Sequence, residues 1–279
     1  MKHLFISDPL DSMEENESTK LFIAEALKRG HEVDSCEVKD LCLDLEGPKA
    51  NGHLVDSYDV VWIRKDPPVD RMYLEHVQIL AQAKNPFFVN DPLAVLRYGD
   101  KLAAFGFAEF CPDTLVTTDR ALMTEFITKF GTVMVKPLNS FSGKGVYKVT
   151  DIDEVEFADH FLILQEFLPN VVQGDLRIHL AGGEVIGAMR RVPAEGSVLA
   201  NIHAGGRAEA VELDNRLMAI ADKMAKELLK EGVFFAGIDI IDGFLNEINV
   251  TSPGVIHETN QVMGVRLQEK LFDLLEKHV

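Results

Sequence analysis

Four predicted strands in the first 95 residues, separated by polar and helical segments, restrict the fold of this chain more than any other feature. They lie at residues 4–6, 31–38, 60–63 and 87–89, and three of them run into a loop that contains proline. Residues 18–29 have the apolar spacing of a helix and end before a glycine. Strands that alternate with helices in this way predict an open parallel α/β sheet.

The pattern changes after about residue 114. Shorter apolar strands follow one another with glycine-rich connections, which is typical of α+β structure. We expect a helix near residues 100–110 and two amphipathic helices at 215–231 and 265–277. The predicted strands lie at residues 133–136, 146–149, 162–166, 177–180 and 185–191.

Residues 234–250 contain two apolar strands with polar residues inside the apolar runs. Side chains alternate between the faces of a strand, so Glu247 and Asn249 point the same way. Together with Asp239 on the first strand, they form a set of hard oxygen donors that suits Mg²⁺, or Mn²⁺, bound with a phosphate substrate. The alternative is a solvent-facing hairpin. Carboxylates in runs this apolar would need partners if buried, which favours the metal site.

Asp239 shares that face in only one register of the hairpin. A two-residue Asp-Gly turn would set it opposite Asn246, whereas a three-residue loop at 242–244 would set it opposite Glu247. Gly243 suits the bulge position of a three-residue loop, so the sequence favours the longer loop.

Lys136 stands at the end of an apolar strand, before the small-residue loop NSFSGKG at 139–145. This arrangement suggests a flexible cover for phosphates, and a plain hairpin turn with a solvated lysine explains it equally well. The loop lacks the glycine and lysine spacing of a Walker A motif.

The predicted strand at 162–166 ends in two polar residues, Gln165 and Glu166, which could form hydrogen bonds with an adenine and a ribose. An ordinary strand end that faces water is the commoner explanation. Arg191 and Arg207 are candidates to bind a carboxylate or a phosphate, because the guanidinium fork matches both groups. A solvated loop explains these two arginines equally well.

The amino-acid composition excludes some classes of binding partner. The formal net charge is −17 and the isoelectric point about 4.9, which argues against nucleic acid and anionic membranes as partners. The three cysteines include no CxxC pair, which suits a reducing compartment. No apolar run approaches the roughly 20 residues of a membrane span, so we expect a cytoplasmic protein.

Taken in chain order, Lys101, Lys136 with its glycine loop, the 165–166 pair and the predicted metal ligands resemble the ATP-grasp superfamily. Two strings, IRKDPP at 63–68 and LNEINVTSP at 245–253, closely resemble the bacterial glutathione synthetase family. The order of motifs covers nearly the whole chain. The resemblance implies an N-terminal α/β substrate-binding domain at residues 1–95 and an ATP-grasp fold of two α+β subdomains. These are a lid subdomain with a linking helix at 96–165 and a C-terminal subdomain with the metal site at 166–279.

The resemblance also implies a reaction. ATP would phosphorylate γ-glutamylcysteine, and glycine would attack the acyl phosphate, releasing ADP and phosphate. Another ATP-grasp ligase that joins a carboxylate to an amine, with a different peptide or protein acceptor, is the alternative. We further expect a homo-oligomer, either a dimer or a tetramer.

Carried over residue by residue, the resemblance assigns roles to particular positions. ATP binding would fall to Lys101, Lys136, Gly143, Gly145, Gln165, Glu166, Leu168, Asp175 and Arg177. Metal binding would fall to Asp239, Glu247 and Asn249, catalysis to Arg191 and Arg207, and peptide binding to Arg64 and Ser252.

Overall fold

The computed structural model describes residues 1–140, 143–157, 159–194, 202 and 205–279. The strands are β1 (Lys2–Ser7), β2 (Glu32–Cys36), β3 (Leu41–Asp44), β4 (Gly47–Ala50), β5 (His53–Leu54), β6 (Val60–Arg64), β7 (Phe87–Val89), β8 (Thr114–Thr117), β9 (Val133–Pro137), β10 (Tyr147–Val149), β11 (Leu162–Glu166), β12 (Asp175–Ala181), β13 (Glu184–Val192), β14 (Arg207–Ala210), β15 (Phe235–Ile241) and β16 (Phe244–Asn249). The helices are α1 (Ser18–Lys28), α2 (Arg71–Leu80), α3 (Pro92–Leu102), α4 (Arg120–Phe130), α5 (Asn215–Lys230), α6 (Ile256–Met263) and α7 (Leu267–His278). In the described ranges, no helix is long and apolar enough to cross a bilayer.

The first sheet has the order β2-β1-β6-β7, and every neighbouring pair is parallel. The predicted open parallel sheet is therefore confirmed. The two central strands, β1 and β6, are almost fully buried, and aromatic rings pack against them. Trp62 stacks on Phe5 with ring centroids 5.1 Å apart and on Phe272 of α7 at 5.4 Å, so the C-terminal helix closes the core of the N-terminal sheet.

The second sheet is antiparallel, with the order β10-β9-β11-β8. It has a core of its own, in which Met123 and Ile127 of α4 pack against Val133, Val135 and Leu164 of the strands. A small third sheet of β3, β4 and β5 lies beside the N-terminal sheet and was not foreseen from the sequence. The predicted domain bounds at residues 95 and 165 stay predictions.

The largest sheet is antiparallel, with the order β14-β13-β12-β15-β16. Helix α5, predicted from its apolar stripe, packs on one face through Ala221, Met224 and Leu228, against residues such as Ile178 and Ile238. Because side chains alternate along a strand, the neighbours of these isoleucines point to the opposite face. That face carries the polar residues singled out in the sequence.

The helix predicted at 100–110 is wrong in its bounds and its type. The α-helix α3 begins earlier, where the Asp91 side chain caps it by accepting from the backbone N–H of Leu93 at 2.7 Å. Gly99 takes a φ of 51°, which interrupts the helix, and the chain continues as 3-10 turns over Ala103–Phe110. A glycine tolerates this left-handed conformation at little cost, and sequence spacing alone does not reveal the interruption.

His3 of β1 is fully buried, and its hydrogen bond in the core requires the neutral imidazole. The indole N–H of Trp62 donates to its Nδ1 at 3.0 Å, which a protonated ring could not accept. Burial lowers the pKa of His3 to about 4, with the neighbouring His31 adding to the effect. The unfolded chain takes up this proton near pH 6.5, so the stabilisation is present above that pH and is lost as the pH falls toward 4.

We therefore expect the free energy of unfolding to fall with acidification more steeply in the wild type than in His3→Asn, whose amide oxygen can still accept from Trp62. Between pH 6.5 and 5.5 the difference should be about 1 kcal/mol, measured by urea unfolding. His53→Asn, at an exposed position, is the control and should match the wild type. Parallel pH slopes for the wild type and His3→Asn would contradict the assignment.

Candidate active site

A cavity of about 1070 Å³ opens between the sheets, above the typical range of about 300–1,000 Å³ for a single small-molecule pocket. Of the sequence-predicted site residues, only Gly145 and Arg207 do not line it. The cavity brings together Arg64, Lys101, Lys136, Gly143, Gln165, Glu166, Leu168, Asp175, Arg177, Arg191, Asp239, Glu247, Asn249 and Ser252.

The β15–β16 hairpin sets Asp239 directly opposite Glu247, as predicted, but not by the predicted loop. Asp242 and Gly243 form a two-residue turn with φ angles of 54° and 81°, which is the type that Asp-Gly favours. The three-residue loop is therefore wrong. The register instead shifts between Asp239 and Ile240, so that Asn246 is the extra residue of a β-bulge.

The bulge gives Asn246 a place in the cavity that was missed in the sequence. Its amide oxygen accepts from Nζ of Lys136 at 2.8 Å, and Oε1 of Gln165 accepts from the same ammonium at 2.6 Å. Burial lowers the pKa of Lys136 to about 8, although Glu247 opposes this. A buried ammonium held by neutral amides keeps charge available for a phosphate.

Four buried charged side chains on β12, β13 and β15 form one connected network. Arg177 donates to Asp239 through Nε at 2.5 Å and Nη2 at 2.9 Å. Arg191 donates in the same forked way to Asp175 at 2.7 and 2.6 Å, and its Nη2 also lies 2.9 Å from Asp239. Burial alone would raise the pKa of Asp239, but the two guanidinium groups outweigh it and hold that pKa well below its usual range.

Gly237 makes room for this network. A Cβ atom at this position would lie 3.1 Å from Cδ and 3.2 Å from Nη1 of Arg177, which is tighter than an ordinary contact. The backbone of Gly237 does not need positive φ, so the reason for a glycine here is the arginine that crosses it. Such a reason depends on the register between β12 and β15 and is not visible in the sequence.

Glu247 differs from Asp239, although the two face each other. Its side chain is 26% exposed, and its nearest cation is Nζ of Lys101 at 3.8 Å, beyond hydrogen-bond distance. Burial raises the pKa of Glu247, and the charge of Asp239 adds to this effect. Glu247 is thus a carboxylate that would gain from a further cation.

Asn249 supplies a third oxygen on the same face. Its Nδ2 donates to the Gly237 carbonyl at 3.2 Å and to Asp239 at 3.3 Å, which turns its Oδ1 away from both. Among the described residues, no three His, Cys, Asp or Glu side chains gather closely enough to hold a metal by themselves. Two carboxylates and an amide fit Mg²⁺, which usually keeps waters and phosphate oxygens among its ligands.

Asp100 and Lys101 follow the break in α3 and reach two sides of the cavity. Nζ of Lys101 donates to the backbone carbonyl of Ser140 in the glycine loop. The Asp100 carboxylate accepts from the backbone N–H of Val250 at 2.8 Å and of Thr251 at 3.0 Å. Asp100 was missed because its role depends on Gly99, which turns this segment away from the helix.

The nucleotide-binding candidates form the other wall. Glu166 and Leu168 line it beside Gln165, whose amide donates to the Thr114 hydroxyl at 3.1 Å. Gly143 and Gly145 have φ angles of 74° and 69°, which favour glycine. Gly145 does not line the cavity, and a Cβ atom at this position would lie 3.0 Å from Cγ of Pro137. Residues 141–142 of the predicted cover lie outside the described residues.

Arg207 lies on β14, at the edge of the large sheet, and its side chain is 70% exposed. Its Nε donates to Glu209 at 2.9 Å. The structure therefore does not bring it to the cavity, unlike Arg191. At the opposite end, Ser252 approaches the backbone of Arg64, with its hydroxyl 3.5 Å from that carbonyl oxygen.

Two solved ATP-grasp proteins share this architecture. The ATP-grasp ligase PsnB in complex with a minimal precursor superposes with a TM-score of 0.72 over 98% of both chains, at 18% identity. The RimK domain ATP-grasp protein of Sphaerobacter thermophilus gives a TM-score of 0.71 over 98% of this chain and 99% of that one, at 19% identity. The protein thus has the ATP-grasp fold, which confirms the predicted fold class.

Sequence relatives define the group more narrowly. Residues 1–56 and 48–97 match the N-terminal domain of prokaryotic glutathione synthetase, and residues 100–264 match its ATP-grasp domain. The glutathione synthetase of Parasynechococcus marenigrum (strain WH8102) is 33% identical over 307 residues, covering 100% of both chains. That of Rhodopseudomonas palustris is 38% identical over 230 residues, or 79% of this chain and 74% of the relative. The chain belongs to the prokaryotic glutathione synthetase family and is an ATP-dependent ligase.

The contact between Gly237 and Arg177 predicts a specific loss. Gly237→Ala should displace Arg177 from Asp239, lower the free energy of unfolding by about 1–3 kcal/mol, and reduce kcat/KM by about 10- to 100-fold. Thermal melts and steady-state ADP release measure the two effects. Gly106→Ala is the control, since a Cβ there meets no atom within 4 Å. A Gly237→Ala variant as stable and active as the control would contradict the proposed crowding.

Proposed function

We infer that this chain joins γ-glutamylcysteine to glycine, with ATP as co-substrate, through an acyl phosphate. The observation that carries the proposal is the state of Glu247. It lies opposite a carboxylate that two arginines already neutralise, in a cavity lined by two lysines, and its nearest cation is 3.8 Å away. A cleft that combines this carboxylate with Lys101 and Lys136 suits a metal-bound nucleoside triphosphate.

Mg²⁺ is the metal that these ligands suit best, with Mn²⁺ as a substitute, and Glu247, Asn249 and Asp239 would hold it. When bound, it neutralises the oxygens of the transferred phosphoryl group. Asp239 remains bonded to Arg177 and Arg191 on its inner side. We therefore assign Asp175 and Arg177 to fixing the position of Asp239, rather than to direct contact with the nucleotide.

The side chains of this chain supply cations, hydrogen bonds and shielding, and no protein nucleophile is needed. Lys101 and Lys136 hold phosphate oxygens, while Gln165, Glu166 and Leu168 form the wall for the base and ribose. Gly143 and Gly145 shape the cover that excludes water from the acyl phosphate.

The reaction then balances in two displacements. The cysteinyl carboxylate of the dipeptide attacks the terminal phosphorus of ATP, and ADP leaves. The glycine amine next attacks the acyl carbon, loses a proton and expels inorganic phosphate. Arg191 lines the cavity, and the catalytic role that the family resemblance implies for it stays a prediction. The role of Arg207 and the expected dimer or tetramer stay predictions.

A ligase that uses a different acceptor remains the second candidate. The fold neighbour PsnB was solved with a precursor peptide, and the likeness to it concerns the fold alone. The two candidates differ in what amine the site accepts. Purified protein with ATP, Mg²⁺ and γ-glutamylcysteine should release ADP only when glycine is added, and stoichiometrically with glutathione. ADP release without glycine dependence would contradict the proposal.

Glu247→Gln tests the metal ligand separately from the fold. We expect at least a 100-fold loss of kcat, about 3 kcal/mol of transition-state stabilisation, with an unchanged or slightly higher melting temperature, because a charge that lacks a close partner is removed. Glu125→Gln, on the exposed side of α4, is the matched control. An active Glu247→Gln variant would refute the role of this carboxylate.

A further inference from the structure

The turn between β16 and α6, residues 252–258, contains a strained residue. Val255 has a φ of 61° and a ψ of 28°, which is the left-handed region, and it immediately precedes the first residue of α6. A β-branched residue is rare in this region because its side chain crowds the backbone. Such a residue persists only where its surroundings hold it. Four residues of this α6 turn line the cavity, namely Ser252, Gly254, Val255 and Glu258.

The peptide group that follows Val255 is held at both ends. Its carbonyl oxygen accepts twice from the buried Thr259, from the backbone N–H at 3.2 Å and from the hydroxyl at 2.9 Å. Its N–H belongs to Ile256 and donates to the Ser18 hydroxyl at 3.3 Å. A peptide group with its donor and its acceptor both engaged has little freedom to rotate. These bonds therefore oppose the return of Val255 to an unstrained conformation.

His179 of β12 adds a further hydrogen bond to this arrangement. The residue is fully buried, and its Nε2 lies 2.8 Å from the hydroxyl oxygen of Thr259. That hydroxyl gives its one proton to Val255, so the imidazole must donate, with its proton on Nε2. Burial lowers the pKa of His179 to about 3, and the charge of Arg177 adds to the effect. The neutral ring is therefore the form present near neutral pH.

The buried histidine is costly for the stability of the fold. Its Nδ1 has no hydrogen-bond partner among the described residues, and a buried polar atom without a partner is destabilising. An apolar side chain of similar size would avoid this cost. It would lack only the N–H that donates to Thr259. The bond to Thr259 is therefore the property that distinguishes a histidine from an apolar residue at position 179.

We propose that His179 and Thr259 are positioning residues that hold Val255 in its left-handed conformation and so fix the α6 turn for the substrates other than ATP. This assignment rests on the proposed function. The two side chains connect a strand of the large sheet to the turn through consecutive hydrogen bonds, from the imidazole to the hydroxyl and from the hydroxyl to the Val255 carbonyl.

The contacts on either side of the turn indicate why ATP is not affected. The Asp100 carboxylate accepts from the backbone N–H groups of Val250 and Thr251, so a movement at Val255 is not passed back to β16 and its predicted metal ligands. The wall assigned to the base and ribose belongs to β11 and the residues after it, and β11 lies in the second sheet. Within the turn, the Pro253 carbonyl instead accepts from the N-terminal sheet.

Substitutions at positions 179 and 259 test the assignment. His179→Leu and Thr259→Val each remove the bond between the two side chains, whereas the amide of His179→Gln can still donate to Thr259. His76→Leu is the control for a histidine that is 2% exposed and whose Nε2 also lacks a partner. Thr128→Val is the control for Thr259, because its hydroxyl donates to the carbonyl four residues earlier in α4, at 2.7 Å.

ADP release is measured with saturating ATP and Mg²⁺, and with γ-glutamylcysteine and glycine well below their KM values. His179→Leu and Thr259→Val should lower this rate by about 10-fold, within the loss of up to about 100-fold that a 1 Å misplacement can cause. The KM for ATP should change by less than about 2-fold. His179→Gln and both controls should stay within about 3-fold of the wild type.

A glycine at position 255 separates positioning from packing. Glycine adopts the left-handed conformation at little cost, so a Val255→Gly chain does not need to be held there. His179→Leu should therefore lower the rate by less than about 3-fold when it is added to Val255→Gly. Hydrogen exchange without substrates gives an independent measure. The backbone N–H of Thr259 should exchange about 10-fold faster in His179→Leu than in the wild type.

Four results would overturn the proposal. An equal loss in the Val255→Gly background or in the controls would leave His179 and Thr259 with a packing role only. A rise in the KM for ATP that matches the loss of rate would show that the turn acts on the nucleotide as well. Unchanged exchange at Thr259 would show that nothing is held. Wild-type protein without glycine-dependent ADP release would overturn the proposed function, and the exchange measurement, which needs no substrate, separates that failure from the others. Melting temperatures identify any variant that fails to fold.

Discussion

The buried network of Arg177, Asp239, Arg191 and Asp175 is the interaction on which the rest of the cleft depends. Taking each of these charges out of water costs several kcal/mol, and the loss is offset only when every partner is present in good geometry. The network therefore requires β12, β13 and β15 to keep one register. It also occupies the inner side of Asp239, which leaves Glu247 across the hairpin as the carboxylate open to a further cation.

The same face explains how distant segments meet at one site. Asp100, which follows the break at Gly99 in helix α3, fixes the backbone just after β16 through Val250 and Thr251. Three residues after Val250, the carbonyl of Pro253 accepts from Arg64 of the N-terminal sheet. One continuous cavity thus joins the end that contains Glu247 and Lys101 to the end that contains the buried guanidinium of Arg64.

Much of this arrangement could be predicted from the sequence. The parallel sheet followed from apolar runs separated by helices, and the pairing of Asp239 with Glu247 followed from the demand that both carboxylates share a face. The route to that pairing was wrong, because a bulge at Asn246 supplies the odd residue that had been expected in the turn. The alternation of side chains along a strand shows that the hairpin needs one extra residue to pair Asp239 with Glu247. It does not show whether that residue lies in the turn or in a strand.

The remaining features depend on tertiary contacts that have no local signature. Gly237 is needed for an arginine on the neighbouring strand, and the role of Asp100 arises from the left-handed Gly99. Sequence patterns show which face of a helix or strand is apolar. They do not show which helices and strands contact each other, and the roles of Gly237 and Asp100 depend on those contacts.

If ATP phosphorylates the cysteinyl carboxylate, one oxygen atom of that carboxylate must leave with the released phosphate. γ-Glutamylcysteine labelled with ¹⁸O in its cysteinyl carboxylate is converted with ATP, Mg²⁺ and glycine, and the released phosphate is analysed by mass spectrometry. An acyl phosphate intermediate predicts that each phosphate released with a new peptide bond carries one oxygen from the labelled carboxylate. Glutathione formed with unlabelled phosphate would contradict an acyl phosphate intermediate and the role given to this cleft.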